Sequence, residues 1–237
     1  ELKITPILCG AAFKNKGGQV IPGKAMPGAR AGSKLQTVTL SSGETVSAGS
    51  FVFAVGAWLP KVFPGVMKDK LSVRKAGYYM FGTPPGDTRF SVPNLPNTGL
   101  GLPSINGAGF GLLINPTHPV DPDSFEHLPD AEEQAQARQT VATRFPVLKD
   151  QPIIAAWTCQ TENSVDAQCI FDPHPQMNNV WLVGGGSWHA FKIGPVIGDY
   201  VAHRVVGEEK GLPEANLSGA ELSAIFKLKP ETFATRL

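Results

Sequence analysis

The sequence predicts an α/β fold in which a β-rich, mostly antiparallel segment is inserted into a layer with a mixed sheet. Residues 51–55 form a continuous apolar run, residues 179–183 are predicted as a second buried strand that is apolar from Val180 onward, and each is followed directly by a glycine-containing turn. Such runs are typical of central parallel strands that are buried on both faces. After residue 71, strand-like segments are interrupted by Pro and Gly, which is typical of an antiparallel sheet.

Local patterns predict the N-terminal elements in turn. Residues 2–13 are predicted to form a strand, followed at 14–33 by a surface loop or irregular hairpin rich in Gly, Pro and Lys. Residues 35–40 alternate apolar and polar side chains, as a half-buried strand does. A turn at 42–44 then leads into a returning strand that starts at Thr45, before the buried strand at 51–55.

The remaining elements define a discontinuous organisation. Strands are predicted at 72–82, 99–104, 108–115, 153–157 and 179–183, and helices at 130–146 and about 194–206. The helix at 130–146 begins after Pro129, with Asp130 at its start, and its helical spacing continues until Pro146. We therefore assign 1–65 and 158–237 to the α/β layer and 66–157 to the inserted domain.

Composition narrows the class of protein. Hydrophobic residues make up 42% of the 237 residues and charged residues 17%, which is ordinary for a soluble globular protein. The net charge of +1 without a long basic run predicts no nucleic-acid partner, and no apolar run approaches the roughly 20 residues of a membrane span. Three cysteines without CxxC spacing predict free thiols in a reducing, cytoplasmic setting. The histidines are scattered along the chain, which predicts no metal site.

The most informative stretch is the run from Gly184 to Lys192, which follows a buried strand and precedes a helix. In this geometry backbone N–H groups and a positive helix end converge on an anion or an electron-rich group. Glycines also let a planar ligand approach the backbone closely. His189 and Lys192 would share one face of a helical turn. The alternative is an ordinary strand-to-helix connection with a solvated lysine.

This stretch, Gly184-Gly185-Gly186-Ser187-Trp188-His189-Ala190-Phe191-Lys192, resembles the C-terminal flavin motif of the family that includes sarcosine oxidase and D-amino-acid oxidase. Further landmarks of that family follow in the right order over nearly the whole chain. They are Val55-Gly56-Ala57-Trp58, then Gly101-Leu102-Pro103-Ser104, and then Cys159 with Asp166 and the run Phe171-Asp172-Pro173-His174-Pro175.

The resemblance implies part of a Rossmann-like FAD-binding domain with an inserted, mostly antiparallel substrate domain. It implies FAD-dependent oxidation of a small amine or amino acid at its C–N bond. The G-x-G-x-x-G fingerprint that grips the FAD pyrophosphate in this family does not occur in the sequence. The chain therefore resembles a C-terminal half, and its partner would be an N-terminal half in the same precursor or in a separate chain.

The resemblance also assigns roles to individual residues. Cys159 aligns with the cysteine that some members bond to the 8α-methyl of the flavin, whereas other relatives hold FAD non-covalently, so packing is the alternative. Lys192 aligns with a lysine that holds the substrate carboxylate, and His189 would lie near the flavin as the second catalytic candidate. The other expected cofactor-binding residues are Gly56, Ala57, Trp58, Gly184, Gly185, Gly186, Ser187, Trp188 and Phe191.

Departures from the family leave the electron acceptor open. Gly111 stands where the sarcosine oxidases carry a lysine thought to activate dioxygen, Asn115 stands at a histidine position and Leu100 at a tyrosine position. His118 is a candidate substitute for the missing cation. A cation near reduced flavin favours superoxide formation by Coulomb attraction. Two alternatives to an oxidase therefore remain. One is a dehydrogenase with another electron acceptor, and the other is a non-catalytic module that has lost FAD.

Overall fold

The computed structural model describes residues 4–91, 100–105, 107–114, 118–209, 211–212 and 216–232. The chain forms two compact units. The first comprises Glu1–Phe51 and Pro175–Val180, and the second comprises Val52–His174 and Trp181–Leu237. Among the described residues, no helix combines the length and apolar character needed to cross a bilayer.

The first unit carries one helix and short strands. Its elements are α1 (Ile4–Asn15), β1 (Ala25–Pro27), β2 (Arg30–Ala31), β3 (Lys34–Leu35), β4 (Thr37–Leu40) and β5 (Thr45–Ser47). Strands β1, β4 and β5 form an antiparallel sheet with β4 in the centre, and β2 pairs with β3 as a hairpin. The predicted strand and returning strand at 35–46 are thus confirmed, and the segment at 14–33 contains short hairpin strands.

The prediction of a strand at 2–13 is wrong, because residues from Ile4 onward form helix α1. Residues 2 and 3 lie outside the described part of the chain. A short apolar run without alternation does not distinguish a strand from a buried helical segment. The pair Ala11 and Ala12 favours the helix, since alanine has the highest helix propensity.

The larger sheet and most helices belong to the second unit, whereas β6 and β12 each begin with residues assigned to the first unit. In chain order the remaining elements are β6 (Phe51–Phe53), α2 (Leu59–Val62), α3 (Pro64–Met67), β7 (Leu71–Phe81), β8 (Leu100–Leu102), β9 (Phe110–Ile114), α4 (Ala131–Arg144), β10 (Ile153–Ser164), β11 (Ile170–His174), β12 (Met177–Gly184), α5 (Gly194–Val205) and α6 (Gly219–Ile225). Single 3₁₀ turns at Gly56–Trp58 and Ala190–Ile193 precede α2 and α5.

The four-stranded sheet has the order β10-β7-β9-β8 and is antiparallel throughout, as predicted. Its buried face packs against α4. That core consists of Tyr79, Phe81, Phe90, Phe110, Leu112, Ala137, Val141 and Leu148. Because side chains alternate along a strand, residues 78 and 80 of β7 belong to the opposite face.

Helix α4 confirms the predicted helix and its start. Asp130 accepts a hydrogen bond from the Glu133 N–H at 2.8 Å, and the Glu133 carboxylate accepts one from the Asp130 N–H, which completes a capping box. The same Glu133 carboxylate forms an ion pair with the ammonium of Lys75, with 2.8 Å between Oε2 and Nζ, and both side chains are about nine-tenths buried. This ion pair joins the helix to β7.

Strand β10 is longer than predicted, because it runs through residue 164 rather than ending at 157. It is the edge strand of the four-stranded sheet. Its register with β7 is continuous from Ala155 opposite Met80 to Ser164 opposite Leu71. The predicted boundary between the inserted domain and the last segment falls inside this strand, and the three-part domain assignment stays a prediction.

The second three-stranded sheet has the order β11-β12-β6. Strand β12 confirms the predicted strand at 179–183, and Val180 and Leu182 are fully buried. Strand β6 lies at the edge of this sheet, where Phe51 and Phe53 are buried but Val52 is 47% exposed. The expectation that 51–55 is buried on both faces is therefore wrong for this strand in the present chain, because an apolar run alone does not reveal which neighbours cover it.

Candidate functional site

The glycine-rich turn begins at the end of β12, as the sequence predicts, and its first four residues are buried. A Cβ atom on Gly184 would lie 2.7 Å from Cδ2 of Leu59, a fully buried residue at the start of α2. A Cβ on Gly185 would lie 3.0 Å from the carbonyl oxygen of Gln168, and one on Gly186 would lie 2.8 Å from Cβ of Ala190. The protein's own packing therefore requires small residues at all three positions.

The turn is strained. Gly185 has φ +69°, and the two residues after the glycines, Ser187 and Trp188, have φ +44° and +75°. A left-handed backbone costs a non-glycine residue roughly 1–2 kcal/mol. Strained residues of this kind persist only where the surroundings hold them, and they cluster at ligand-binding and catalytic sites.

Hydrogen bonds hold the turn against the free edge of β10. The Ser187 N–H donates to the carbonyl of Glu162 at 3.0 Å, and the Ser164 N–H donates to Oγ of Ser187 at 3.2 Å. The Ser187 hydroxyl donates to the Gly185 carbonyl at 3.0 Å. The turn thus occupies backbone groups that an edge strand otherwise leaves unpaired.

Glu162 is a site residue that sequence analysis missed. Its Oε1 accepts the Gly186 N–H at 3.3 Å, while its Oε2 is buried and has no hydrogen-bond partner among the described residues. Burial raises the pKa of this carboxyl group, and hydrogen bonds from the Gly186 and Gly185 N–H groups oppose that rise. Glu162 and Gly186 lie 24 residues apart, so no local sequence signal identifies the contact.

A second polar atom at the turn is also buried without a partner in the described part of the structure, namely Nε1 of Trp188. An indole N–H buried in a protein normally finds an acceptor, because leaving it unpaired costs about 1–3 kcal/mol. Together with the strained backbone, this donor marks the turn as a place that suits a bound acceptor.

The residues after the turn are open to solvent. His189 donates its backbone N–H to the Gly186 carbonyl at 2.7 Å, and its side chain is exposed. The following 3₁₀ turn carries Lys192, also exposed, and Phe191, which is 63% exposed. The predicted helix then follows as α5. His189, Phe191 and Lys192 are therefore all accessible and follow the buried glycines directly in the chain.

The Gly-Ala-Trp segment forms the 3₁₀ turn before α2. Gly56 has φ +54°, which suits glycine, and Ala57 is buried. The indole N–H of Trp58 donates to Asp123 at 2.8 Å, so this tryptophan is held from one side by an acidic loop. The turn leads directly to Leu59, which contacts Gly184 as described above, and the two predicted cofactor-binding segments are thereby joined through one buried leucine.

Cys159 lies on β10 opposite Ala76, and its thiol is partly buried. Burial raises its pKa. Alternation along β10 places Cys159 on the same face as Trp157 and on the opposite face from Glu162. Trp157 stacks on Tyr78 with ring centroids 5.2 Å apart and planes within 3°, and the tryptophan is 42% exposed. Cys159 therefore adjoins an exposed aromatic pair.

Gly111 lies on β9 opposite Met80 and Leu102, in an apolar setting. A Cβ at this position would lie 2.9 Å from Cβ of Leu102 and 3.2 Å from Sδ of Met80. The site has no room for a longer side chain without movement. Asn115 lies outside the described residues, as does the side chain of Leu100. His118 has its Nε2 3.6 Å from Oε1 of Glu133, which caps α4 on the other face of the sheet from Gly111.

A cavity of about 380 Å³ lies beside residues 164–170 and the last described segment. Two of its lysines are engaged, since Lys229 pairs with Asp166 and Lys70 donates to the carbonyls of residues 230 and 231. The described residues contain no cluster of three or more His, Cys, Asp or Glu side chains suited to a metal ion. The glycine-rich turn is therefore the better candidate for the chemistry.

Comparison with known proteins identifies the family of the chain. Residues 7–204 match the family described as DAO, FAD-dependent oxidoreductase. L-saccharopine oxidase of Schizosaccharomyces pombe is 38% identical over 73 residues, which cover 31% of this chain and 17% of that protein. Human peroxisomal sarcosine oxidase is 38% identical over 58 residues, which cover 24% of this chain and 15% of that protein.

Solved structures share the fold. A thermally stable mutant of fructosyl peptide oxidase superimposes with a TM-score of 0.74 at 21% identity, over 96% of this chain and 57% of that chain. Amadoriase I, a fructosyl amine:oxygen oxidoreductase from Aspergillus fumigatus, gives 0.69 at 19% identity, over 88% and 49%. The chain thus spans about half the length of these structures. With the matched residues extending from α1 to the end of α5, the chain belongs to the DAO family of FAD-dependent oxidoreductases.

Proposed function

We propose that this chain is the C-terminal half of an FAD-dependent enzyme that oxidises the C–N bond of a secondary amine or an amino acid. The substrate would lose a hydride equivalent and a proton and become an imine, which water then hydrolyses. The observation that carries the proposal is the strained turn at Ser187 and Trp188, with its buried and unpartnered indole N–H, in a chain of this family.

The turn fits the flavin part of FAD. When bound, FAD would accept the hydride equivalent, and the protein would supply binding, orientation and charge. No described residue accepts a hydrogen bond from Trp188 Nε1, so this N–H could donate to an oxygen or nitrogen of the ring. Leu59 and Gly184 fix the start of the turn, and Ser187 fixes it to β10. The site is therefore preorganised by interactions within the protein.

Lys192 and His189 are the proposed catalytic residues. The exposed ammonium of Lys192 would bind the carboxylate of an amino-acid substrate and orient the C–N bond. His189 would lie beside the ring, because its backbone N–H donates a hydrogen bond to the carbonyl of Gly186 in the turn. Phe191 would cover the ligand, which would account for a phenyl ring that is 63% exposed in this chain.

Cys159 is the proposed point of covalent attachment, with non-covalent FAD as the alternative. Only a thiolate attacks efficiently, and burial raises the pKa of this thiol. Attachment would therefore require a nearby base or a positive group that lowers the pKa when FAD is bound. The partner half, in the same precursor or in a separate chain, would supply the fingerprint that binds the pyrophosphate.

A dehydrogenase is the second candidate, and the setting of Gly111 favours it. The family's oxygen-activating lysine position is here a glycine packed against Leu102 and Met80, so the described site offers no cation there. Such an enzyme would pass its electrons to an acceptor other than dioxygen. The cytoplasmic location predicted from the sequence stays a prediction.

The first experiment is the visible absorption spectrum of the full-length protein before and after acid precipitation. Yellow colour that stays with the precipitate, and is lost in Cys159→Ala but kept in Cys169→Ala, is the expected result for covalent FAD. Colour released into the supernatant would leave the flavoenzyme proposal in place and remove the covalent bond. A colourless protein would overturn the proposal and favour a binding module without FAD.

A second experiment separates oxidase from dehydrogenase. The flavin would be reduced with substrate or dithionite, and its reoxidation by air followed in a stopped-flow instrument. For a dehydrogenase we expect slow reoxidation, and an increase of at least about tenfold in Gly111→Lys combined with Leu102→Ala, which makes room for the cation. Gly111→Met with the same second change is the neutral control. Fast reoxidation of the wild-type protein would refute the dehydrogenase.

A further inference from the structure

Glu162 is the one carboxylate that the structure places against the glycine-rich turn among the described residues. One carboxyl oxygen accepts the Gly186 N–H at 3.3 Å, and the backbone carbonyl of the same residue accepts the Ser187 N–H at 3.0 Å. The other carboxyl oxygen is buried and unpartnered in the described structure. Burial makes the ionised carboxylate costly, and the backbone N–H groups of Gly186 and Gly185 offset part of that cost, so that near neutral pH the two protonation states of Glu162 lie closer in free energy than those of an exposed carboxyl group.

Other titratable groups around Glu162 do not compensate its charge. The Cys169 thiol is close enough for Glu162 to raise its pKa, after the larger effect of burial. Lys75 lies on β7 opposite Gln160, two residues along β10, but its ammonium is paired with Glu133 at 2.8 Å. His189 lies on the same turn with an exposed side chain. Glu162 therefore responds mainly to charge that arrives on the other side of the turn.

We propose that Glu162 is a positioning residue that takes up a proton from solvent when the flavin held by this turn is reduced, and releases it when the flavin is oxidised. This inference rests on the proposed function. The reductant supplies the two electrons, the flavin takes up its own proton from the reductant or from water, and Glu162 takes one additional proton from water. The proton neutralises the Glu162 carboxylate behind the Gly184–Ser187 segment while the ligand beside that segment gains negative charge.

The physical reason is repulsion between like charges. Negative charge on a reduced ring at the turn disfavours a second negative charge on the carboxylate behind it, so protonation of Glu162 and reduction stabilise each other. Protonation also weakens the hydrogen bond from the Gly186 N–H, because a neutral carboxyl group is a weaker acceptor than a carboxylate. The side-chain amide introduced by Glu162→Gln would keep an oxygen acceptor at similar volume and cannot titrate.

The test is the midpoint potential of the flavin in the full-length holoprotein, measured from about pH 5 to about pH 9. One extra proton per two electrons steepens the dependence by about 30 mV per pH unit, the two-electron value for a tenfold change in equilibrium constant. We expect this extra slope in the wild-type protein and in Glu132→Gln, which removes an exposed carboxylate from α4. We expect it to be absent in Glu162→Gln.

Each other outcome has a defined meaning. Equal slopes in wild type and Glu162→Gln, or a uniform shift of potential, would show that Glu162 is only structural and would overturn this inference alone. A protein whose spectrum shows no flavin would overturn the proposed function and the inference together. If Glu162→Gln does not fold, proton uptake by the wild-type protein on dithionite reduction decides the matter. An indicator dye is the probe, and the protons that dithionite oxidation releases are subtracted in a control with free flavin. No uptake beyond that of free flavin would refute the coupling.

Discussion

The contact between Leu59 and Gly184 makes a quantitative prediction about what holds the glycine-rich turn in place. Gly184 is the last residue of β12 and its backbone is compatible with alanine. The main obstacle to Gly184→Ala is Cδ2 of Leu59, 2.7 Å from the new Cβ, since Glu162 Oε2 is at an ordinary 3.4 Å. Overpacking of this size costs about 1–3 kcal/mol. Leu59→Ala alone should cost about 2–5 kcal/mol, because Leu59 is fully buried.

The double variant is the decisive comparison. With the leucine removed, the methyl group that Gly184→Ala introduces enters vacated space, and this substitution should become stabilising by about 0.4–1 kcal/mol through its effect on the unfolded chain. The coupling energy between the two positions, which is the difference between these two effects of Gly184→Ala, should therefore be about 1.4–4 kcal/mol. The assay is the denaturation midpoint of the full-length protein in urea, with the slope m compared among variants.

Gly185→Ala is the matched control for this cycle. Its φ of +69° and the Gln168 carbonyl at 3.0 Å are backbone constraints, so Leu59→Ala should not rescue it. If Gly184→Ala were equally destabilising with and without Leu59, the leucine would not be what excludes the side chain. The packing account of the turn would then be wrong.

Burial and charge lead to three further predictions. Glu133→Ala should lower the free energy of unfolding by about 3–5 kcal/mol, because it leaves the charge of the buried Lys75 uncompensated. Asp130→Ala removes only a helix cap and should cost about 1 kcal/mol. Urea denaturation compares the two variants, and equal losses of stability would contradict the importance of the buried ion pair. Cys159 in the apoprotein should react with iodoacetamide more slowly at neutral pH than a free peptide thiol, and mass spectrometry across a pH series should show the rate rising only at alkaline pH. The raised pKa of Glu162 contributes stability that is fully present below about pH 4.3, the pKa of the unfolded chain, and is lost as pH rises through the pKa of the folded protein. The free energy of unfolding of Glu162→Gln should therefore fall less than that of the wild type when the pH is raised. Parallel curves of stability against pH would refute this prediction.

Much of the second unit could be predicted because its signals are local. Runs bounded by Pro and Gly identify β7 and β9, and Asp130 after Pro129 marks the start of α4. The same holds for β12, the glycines after it and α5, which follow one another without interruption. The landmarks of the family could be recognised for the same reason, since each is a short motif at a fixed place in the order.

Other features could not be predicted, because they depend on what a segment meets in space. An apolar run from residue 4 is a helix and not a strand, and the middle residue of β6 is exposed because it points to the opposite face from its two buried neighbours. Cys159 and Glu162 are three residues apart, yet the pleat of β10 sends them to opposite faces, one towards Trp157 and the other towards the turn.

The sequence by itself determined the family, the class of fold and the position of the glycine-rich turn, because these reside in residue types at short and fixed spacings. The tertiary structure alone decided why the turn needs its glycines, since Leu59, Gln168 and Ala190 exclude a side chain there. It also revealed Glu162 as the group behind the turn. Contacts between residues far apart in the chain leave no local pattern, because close packing and hydrogen bonding are satisfied only when the strands have been brought together.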